Sequence, residues 1–311
     1  MIKLKNITKK FNGFVAVNKV NLRIKKSEIF GLLGPNGAGK TTIISILSTL
    51  MKPTSGTAEI NGYDILNEQE KVRKSIGIVF QESVLDSDLT AYDNLDFHAS
   101  LYNIPKSKRE KRIKEVVSLV GLSDFLYKKV YTFSGGMKRR LELARGFLHS
   151  PKVLFLDEPT LGLDPQTRRH VWDYILNLKT KEKVTILLTT HYLEEADVIC
   201  DRIAIIDKGK IVVVGEPQKL KNRIKGDIIK IKVKTISEFL IKDLKNIRSI
   251  KDMKTSRNEM SILIKNAESK IAEIIDILKK HTKIETISVN KPTLEDVFLY
   301  YTGRGMRDAA Y

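Results

Sequence analysis

An almost wholly apolar run, Glu28-Ile29-Phe30-Gly31-Leu32-Leu33, leads directly into Gly34-Pro35-Asn36-Gly37-Ala38-Gly39-Lys40-Thr41-Thr42. The apolar run has the character of a strand buried on both faces of a parallel sheet. The segment after it fits G-x-x-x-x-G-K-[ST], the P-loop pattern. Gly34, Gly37 and Gly39 allow backbone N–H groups to turn inward with no side chain between backbone and phosphate. A helix starting near Lys40 adds its positive end. A strand, this loop and a helix in succession predict an α/β P-loop core.

A second stretch, Val153-Leu154-Phe155-Leu156-Asp157-Glu158, is an apolar run that ends in two acids. Neither segment is decisive alone, because glycine-rich turns after strands and acids at strand ends are both common in α/β proteins. Together they predict an ATP site. Lys40 would reach the β- and γ-phosphates and the Thr41 hydroxyl would ligate Mg²⁺. Asp157 would hold that ion directly or from one layer further out, and Thr42 would add a phosphate contact.

Ser134-Gly135-Gly136-Met137-Lys138 precedes a stretch in which Leu141, Ala144 and Leu148 recur at helical spacing. Ser134 is therefore an expected N-cap, and a capped, glycine-fronted helix start is a second anion site. The chain has one P-loop to go with two such helix starts.

The order of these motifs resembles the ABC transporter ATPase family over residues 1 to about 220. In that resemblance Gly34–Thr42 is the Walker A segment and Gln81, in Ile78-Val79-Phe80-Gln81, is the Q-loop glutamine. Phe133-Ser134-Gly135-Gly136-Met137 is the signature and Val153–Asp157 the Walker B strand, with Glu158 beside it. Leu161-Gly162-Leu163-Asp164 matches the D-loop, and His191 in Leu188-Thr189-Thr190-His191 matches the switch histidine. The resemblance implies two subunits packed head to tail, with ATP between the Walker A of one and Ser134, Gly135 and Gly136 of the other. It also implies that Asp164 lies at the dimer contact, that Glu158 orients or deprotonates the attacking water, and that His191 touches the γ-phosphate. Gln81 would join Thr41 and Asp157 around Mg²⁺ and couple the ATP site to a membrane partner. Phe11, in Lys9-Lys10-Phe11-Asn12-Gly13, would be the aromatic platform for adenine. The signature departs from the commoner Leu-Ser-Gly-Gly-Gln at Phe133 and Met137, and a methionine cannot donate a hydrogen bond as an amide can.

The first 220 positions read as strands alternating with helices, with strands at Ser75–Phe80, Val153–Asp157, Val184–Thr189 and Arg202–Asp207 in a mainly parallel sheet. From about 82 to 148 helical periodicity dominates, including Lys106–Val120, and this is the expected helical subdomain. Residues 221–311 read as a small α+β accessory domain, βαββα-like. Its expected strands are Asp227–Thr235, Glu259–Lys265 and Ile284–Val289, and its expected helices are Ser237–Asn246, Glu268–Lys280 and Thr293–Tyr301. The closing segment, Lys291 to Leu299 followed by Thr302-Gly303-Arg304-Gly305, is similar to the end of daunorubicin-resistance-type ATPases of multidrug export systems. Pro165-Gln166-Thr167-Arg168 and Asp86-Ser87-Asp88-Leu89-Thr90 resemble the same subgroup. Asp296 and Phe298 are expected as cap and core.

The longest apolar runs, such as Ile211-Val212-Val213-Val214, fall far short of the ~18–20 residues needed to span a bilayer, and no signal-peptide pattern opens the chain. A translocation path would then belong to another polypeptide. The resemblance thus implies a peripheral subunit at the cytoplasmic face of the cell membrane. There it would form a homodimer, or a heterodimer with another ABC ATPase, and drive a separate membrane-spanning permease exporting a drug, antibiotic or lipid-like compound. The alternative is a soluble ABC ATPase acting on nucleic acid or ribosomes, but those usually carry two cassettes or a long coiled-coil insertion, so no nucleic-acid partner is expected. The net charge of +18 is spread along the chain, with +8 from Lys221 onward and no polybasic block, so it reads as a solvated surface. The single cysteine, Cys200, excludes an internal disulfide, suggests a reducing compartment and is expected as a small buried hydrophobe.

Overall fold

Two long strands, β1 (Ile2–Phe11) and β2 (Phe14–Ile24), open the chain as a hairpin. Its two turn residues, Asn12 and Gly13, both sit at positive φ, 41° and 87°, which is the type I′ geometry that suits the right-handed twist of paired strands. The computed structural model describes residues 1–303 and divides into two units, Met1–Pro217 and Gln218–Gly303. Arg304 and Gly305 of the expected closing motif lie outside the described residues.

In the first unit β3 (Ile29–Leu33) leads to α1 (Lys40–Leu47), followed by β4 (Ser55–Ile60), β5 (Tyr63–Asp64), α2 (Gln69–Ser75) and β6 (Ile76–Val79). Three helices come next: α3 (Ala91–Leu101), α4 (Lys106–Leu119) and α5 (Gly135–Phe147). The sheet then resumes with β7 (Val153–Asp157), α6 (Pro165–Thr180), β8 (Thr185–Thr190), α7 (Leu193–Ile199), β9 (Arg202–Asp207) and β10 (Lys210–Gly215). Six strands form one sheet in the order β10-β9-β3-β8-β7-β6, parallel except at the β10 edge. Every residue of β3, β7 and β8 is buried, which is why these segments read as unbroken apolar runs rather than alternating ones. The expected parallel core is present. Beside it stands a separate antiparallel sheet, β2-β1-β4-β5, that the alternating strand and helix pattern does not predict. β4 (SGTAEI) has only Ala58 and Ile60 buried, so pairing with β1 defines it more than its own pattern does.

Helix starts follow local chemistry. Thr90 and Asp93 form a capping box on α3, and Ser134 Oγ accepts from Met137 N–H at 3.2 Å on α5. Asp164 Oδ1 accepts from Gln166 and Thr167 N–H on α6, where Pro165 takes the first position. Among the described residues no helix is long and apolar enough to cross a membrane.

His98 on α3, Tyr102 and His149 cluster against Arg145 of α5, with Tyr102 and His149 stacked at 3.7 Å. Burial, with Arg145 and His149 adding positive charge, pushes His98 down to about 3; burial also lowers His149. Between about 3 and the ordinary 6.5 the folded chain carries fewer protons on His98 than the unfolded chain does. Stability therefore falls as pH drops below 6.5, by up to ~1.4 kcal/mol per pH unit for such a ring. The expected outcome is a thermal midpoint that declines from pH 7 to pH 5, with a shallower decline in His98→Gln.

The second unit follows α8 (Pro217–Arg223) with β11 (Asp227–Val233), α9 (Glu238–Lys245), β12 (Ile250–Ser256) and β13 (Glu259–Ile264). It closes with α10 (Ala267–His281), β14 (Ile284–Asn290) and α11 (Leu294–Thr302). Its antiparallel sheet runs β12-β13-β11-β14. Leu240, Leu244, Ile274 and Leu278 share a buried core with Ile229, Ile231, Ile262 and Ile264. The expected βαββα-like order is corrected to βαββαβα, a split βαβ arrangement with an added helix. Strand β12, IKDMKTS, carries no strand pattern that predicts it. It is a polar edge strand with no fully buried residue, and only its pairing with β13 reveals it. Asp296 completes a capping box with Thr293, Phe298 is fully buried, and in the first unit Cys200 is buried.

Candidate functional site

The loop between β3 and α1 forms one wall of a cavity of about 300 Å³. Residues lining it include Phe11, Phe14, Ala16, Pro35, Asn36, Gly37, Gly39, Lys40, Thr41, Thr42, Gln81 and Glu158. Gly39 occupies the N-cap of α1 at φ 104°, and a Cβ there would come within 2.6 Å of Ala16 O, so this position admits only glycine. No side chain caps α1, unlike α3, α5 and α6. The first-turn N–H groups of Lys40, Thr41 and Thr42 thus form a donor set suited to an anion. Gly34 and Ala38 belong to the same loop but do not line the cavity.

Lys40, only 6% exposed, is held between the loop and the end of β7. Its Nζ donates to Gly34 O at 2.7 Å and Pro35 O at 3.2 Å, and lies 3.5 Å from Glu158 Oε1. The other Glu158 oxygen, Oε2, is 2.8 Å from His191 Nδ1. Burial lowers the Lys40 ammonium pKa, with Glu158 partly offsetting it. Burial pushes the Glu158 carboxyl up, but His191 and Lys40 outweigh it and leave it below its ordinary value. Glu158 is thus ionised at neutral pH, with one oxygen on a cation and one on an imidazole. Its backbone is in the left-handed region, φ 49°, which costs on the order of 1 kcal/mol for a residue with a Cβ. Bonds from its N–H to Thr189 O and Oγ1, at 3.2 and 3.1 Å, hold that conformation. Asp157, next to Glu158 at the end of β7, is buried, does not itself line the cavity, and accepts from Thr189 Oγ1.

The donor chemistry fits Mg²⁺. Thr41, Gln81 and Asp157 offer hard oxygens, and Mg²⁺ is ordinarily bound through one or two carboxylates plus substrate phosphates. Among the described residues no cluster of three or more His, Cys, Asp or Glu is placed to hold a metal alone. An ion here would therefore need the hydroxyl, the amide oxygen and the phosphates themselves.

The remaining expected residues lie outside this cavity. Ser134, Gly135 and Gly136 form the start of α5, with Ser134 and Gly135 exposed. A Cβ on Gly136 would meet Thr167 Cγ2 at 2.6 Å, whereas Gly135 faces open space. Packing against α6 therefore accounts for the second glycine, while the first leaves room for a ligand. Asp164 is exposed and serves as the α6 cap.

Three residues outside the expected set reach the site, Ala16 as a lining residue of the cavity and, with larger consequence, Phe14 and Arg139. Phe14 faces Phe11 across the hairpin, and both line the cavity at 64% and 41% exposure. The Asn12-Gly13 turn signal was the available clue, because a two-residue hairpin makes its flanking residues cross-strand neighbours. Arg139, buried on α5, donates to Phe80 O, Asp157 O, Glu158 O and Pro159 O at 2.5–3.0 Å. Nothing in the sequence around Arg139 announces that role.

Residues 17–161 match the ABC transporter family model, and residues 215–302 match that of the C-terminal domain of DrrA1-3-like ATP-binding proteins. The linearmycin resistance ATP-binding protein of Bacillus subtilis is 38% identical over 99% of this chain and 100% of its own length. The daunorubicin/doxorubicin resistance ATP-binding protein of Streptomyces peucetius is 33% identical over 99% of this chain and 94% of its own. Among solved structures, a dimeric post-hydrolysis ATP-binding cassette bound to ADP and Pi superposes with a TM-score of 0.64 at 30% identity. That match covers 70% of this chain and 98% of the cassette. Near full-length likeness to such relatives, with both family models in chain order, means that the chain belongs to the ATP-hydrolysing, ATP-binding subunits of ABC transporters, on the branch with a daunorubicin-resistance-type C-terminal domain.

Proposed function

We propose that this chain powers an export permease carried on a separate polypeptide, working at the cytoplasmic face of the membrane as one half of an ATP-closed dimer. The observation that carries the reading is the Lys40–Glu158–His191 chain of contacts at a cavity bounded by an uncapped helix start. ATP would place its β- and γ-phosphates against the α1 amides and Lys40, with its base against Phe11. Thr41, Gln81 and Asp157 would hold Mg²⁺, which when bound neutralises charge between the phosphates.

Glu158, ionised and held on both sides, would accept a hydrogen bond from the attacking water and orient it toward the γ-phosphorus. The proton released as the new P–O bond forms would pass to Glu158. His191 would keep that carboxylate aimed and contact the γ-phosphate. Ser134 and Gly135 of a facing subunit, identical or related, would complete the phosphate cage. The dimeric assembly of the similar cassette supports this arrangement. Asp164 would sit at the contact between subunits. The names of the similar resistance proteins support a drug, antibiotic or lipid-like cargo.

Affinity purification of the chain from its own membranes in mild detergent, with mass spectrometry of what co-purifies, tests the transport reading. A multispanning protein in stoichiometric yield is expected. Ribosomal proteins or nucleic acid in its place would overturn it.

A further inference from the structure

Glu142 is an acid buried to 2% exposure in the middle of α5, a cost that requires partners. Its partners are not in the sheet or the nucleotide cavity. Oε1 accepts from Val84 N–H at 2.7 Å and from Ser83 Oγ at 3.0 Å, and Oε2 accepts from Arg145 Nε and Nη2 at 3.0 and 2.9 Å. One helical turn earlier on α5, Arg139 donates to Phe80 O at 2.5 Å while its other nitrogens hold the carbonyls of Asp157, Glu158 and Pro159. Exposed Gln81 and Glu82 are strung between these two anchors. Downstream, Asn94 of α3 holds both the N–H and the C=O of Asp86.

We infer that Arg139 and Glu142 clamp the 80–84 loop at both ends and set the position of Gln81, so that the loop travels with the helix whose first residues are Gly135 and Gly136. The inference rests on the proposed role of Gln81 at the ATP site. Both are positioning residues. Residues 139 and 142 stand three apart and so share one helix face, and any rotation of α5 must carry Phe80 O and Val84 N–H along or break charge-assisted bonds. Arg139 couples the same motion to the backbone on either side of Glu158. An apolar residue at 142 would pack equally well in a helix interior, but it could not hold a backbone N–H.

The test uses the full chain with Gln81→Ala, Glu142→Ala, Val84→Pro and the Gln81→Ala/Glu142→Ala double variant. It follows steady-state ATPase and hydrogen exchange of the 80–86 segment. Val84→Pro deletes the N–H from the loop side and leaves α5 untouched, so it separates the clamp from damage to the helix. Glu142→Ala and Val84→Pro are each expected to speed exchange at 80–86 and to lower kcat by about 10-fold with KM changed less than about 3-fold. The double variant is expected to be no slower than Gln81→Ala alone. Glu142→Gln, which keeps an acceptor for Val84 N–H, should recover most of the loss. Unchanged exchange in Glu142→Ala would overturn the clamp, and multiplying kcat losses in the double variant would show that Glu142 acts by another route. Parent-level kcat in Gln81→Ala would instead remove the role assigned to Gln81, and with it any catalytic purpose for the clamp.

Discussion

Glu158→Gln is expected to lower the steady-state ATPase rate by about 10²- to 10³-fold while ATP affinity stays within a few-fold of the parent. The substitution keeps the size of the side chain and an oxygen to face His191 Nδ1, 2.8 Å away in the parent. What it removes is the negative charge, and with it the attraction to Lys40 and the strong acceptor for water. Because binding contacts remain while turnover stops, ATP-bound dimers should accumulate. Light scattering after gel filtration in Mg-ATP reads the dimer, and phosphate release reads the rate. A monomer that hydrolyses at the parent rate would show that the chemistry assigned to Glu158 is wrong.

Lys40→Ala acts at the other end of the same contact chain and should weaken ATP binding itself, by about 10- to 10²-fold. A charge-assisted contact of this kind carries roughly 1.5–3 kcal/mol. The variant also takes two hydrogen bonds from the carbonyls of Gly34 and Pro35 and leaves the buried Glu158 carboxylate with His191 Nδ1 as its remaining side-chain contact of the pair. The Glu158 carboxyl should then titrate at higher pH than in the parent, since burial pushes it up and Lys40 is one of the groups opposing that push. Calorimetric titration with ATP measures the affinity, and the thermal midpoint separates lost binding from lost folding. ATP affinity equal to the parent would remove Lys40 from the phosphate site.

The parts of the fold legible from the chain were those in which a few consecutive residues carry the whole signal. β3, β7 and β8 announce themselves because a strand buried on both faces must be apolar throughout. Ser134 and Thr293 announce helix starts because capping is satisfied within three residues. The βαββα-like expectation for the second unit fell short because β12, IKDMKTS, lacks the β-branched alternation that makes β14, IETISVN, legible although neither has a buried residue; pairing with β13 makes it a strand.

At the site, residue types and their order alone determined the P-loop, the acid pair after β7 and the family resemblance. Backbone geometry near a glycine-rich turn is local, and the ordered set of motifs is specific. Only the tertiary structure decided which of these groups meet. Glu158 and His191 are 33 positions apart, and Lys40 and Glu158 farther still, yet they form one contact chain because parallel strands β3, β8 and β7 lie side by side and end at the same edge of the sheet. Phe14, Arg139 and Glu142 owe their places to hairpin register and to the seat of α5 against the 80–84 loop. Such long-range placement costs chain entropy and is decided by the packing of the whole core, so no window of sequence around those residues contains it.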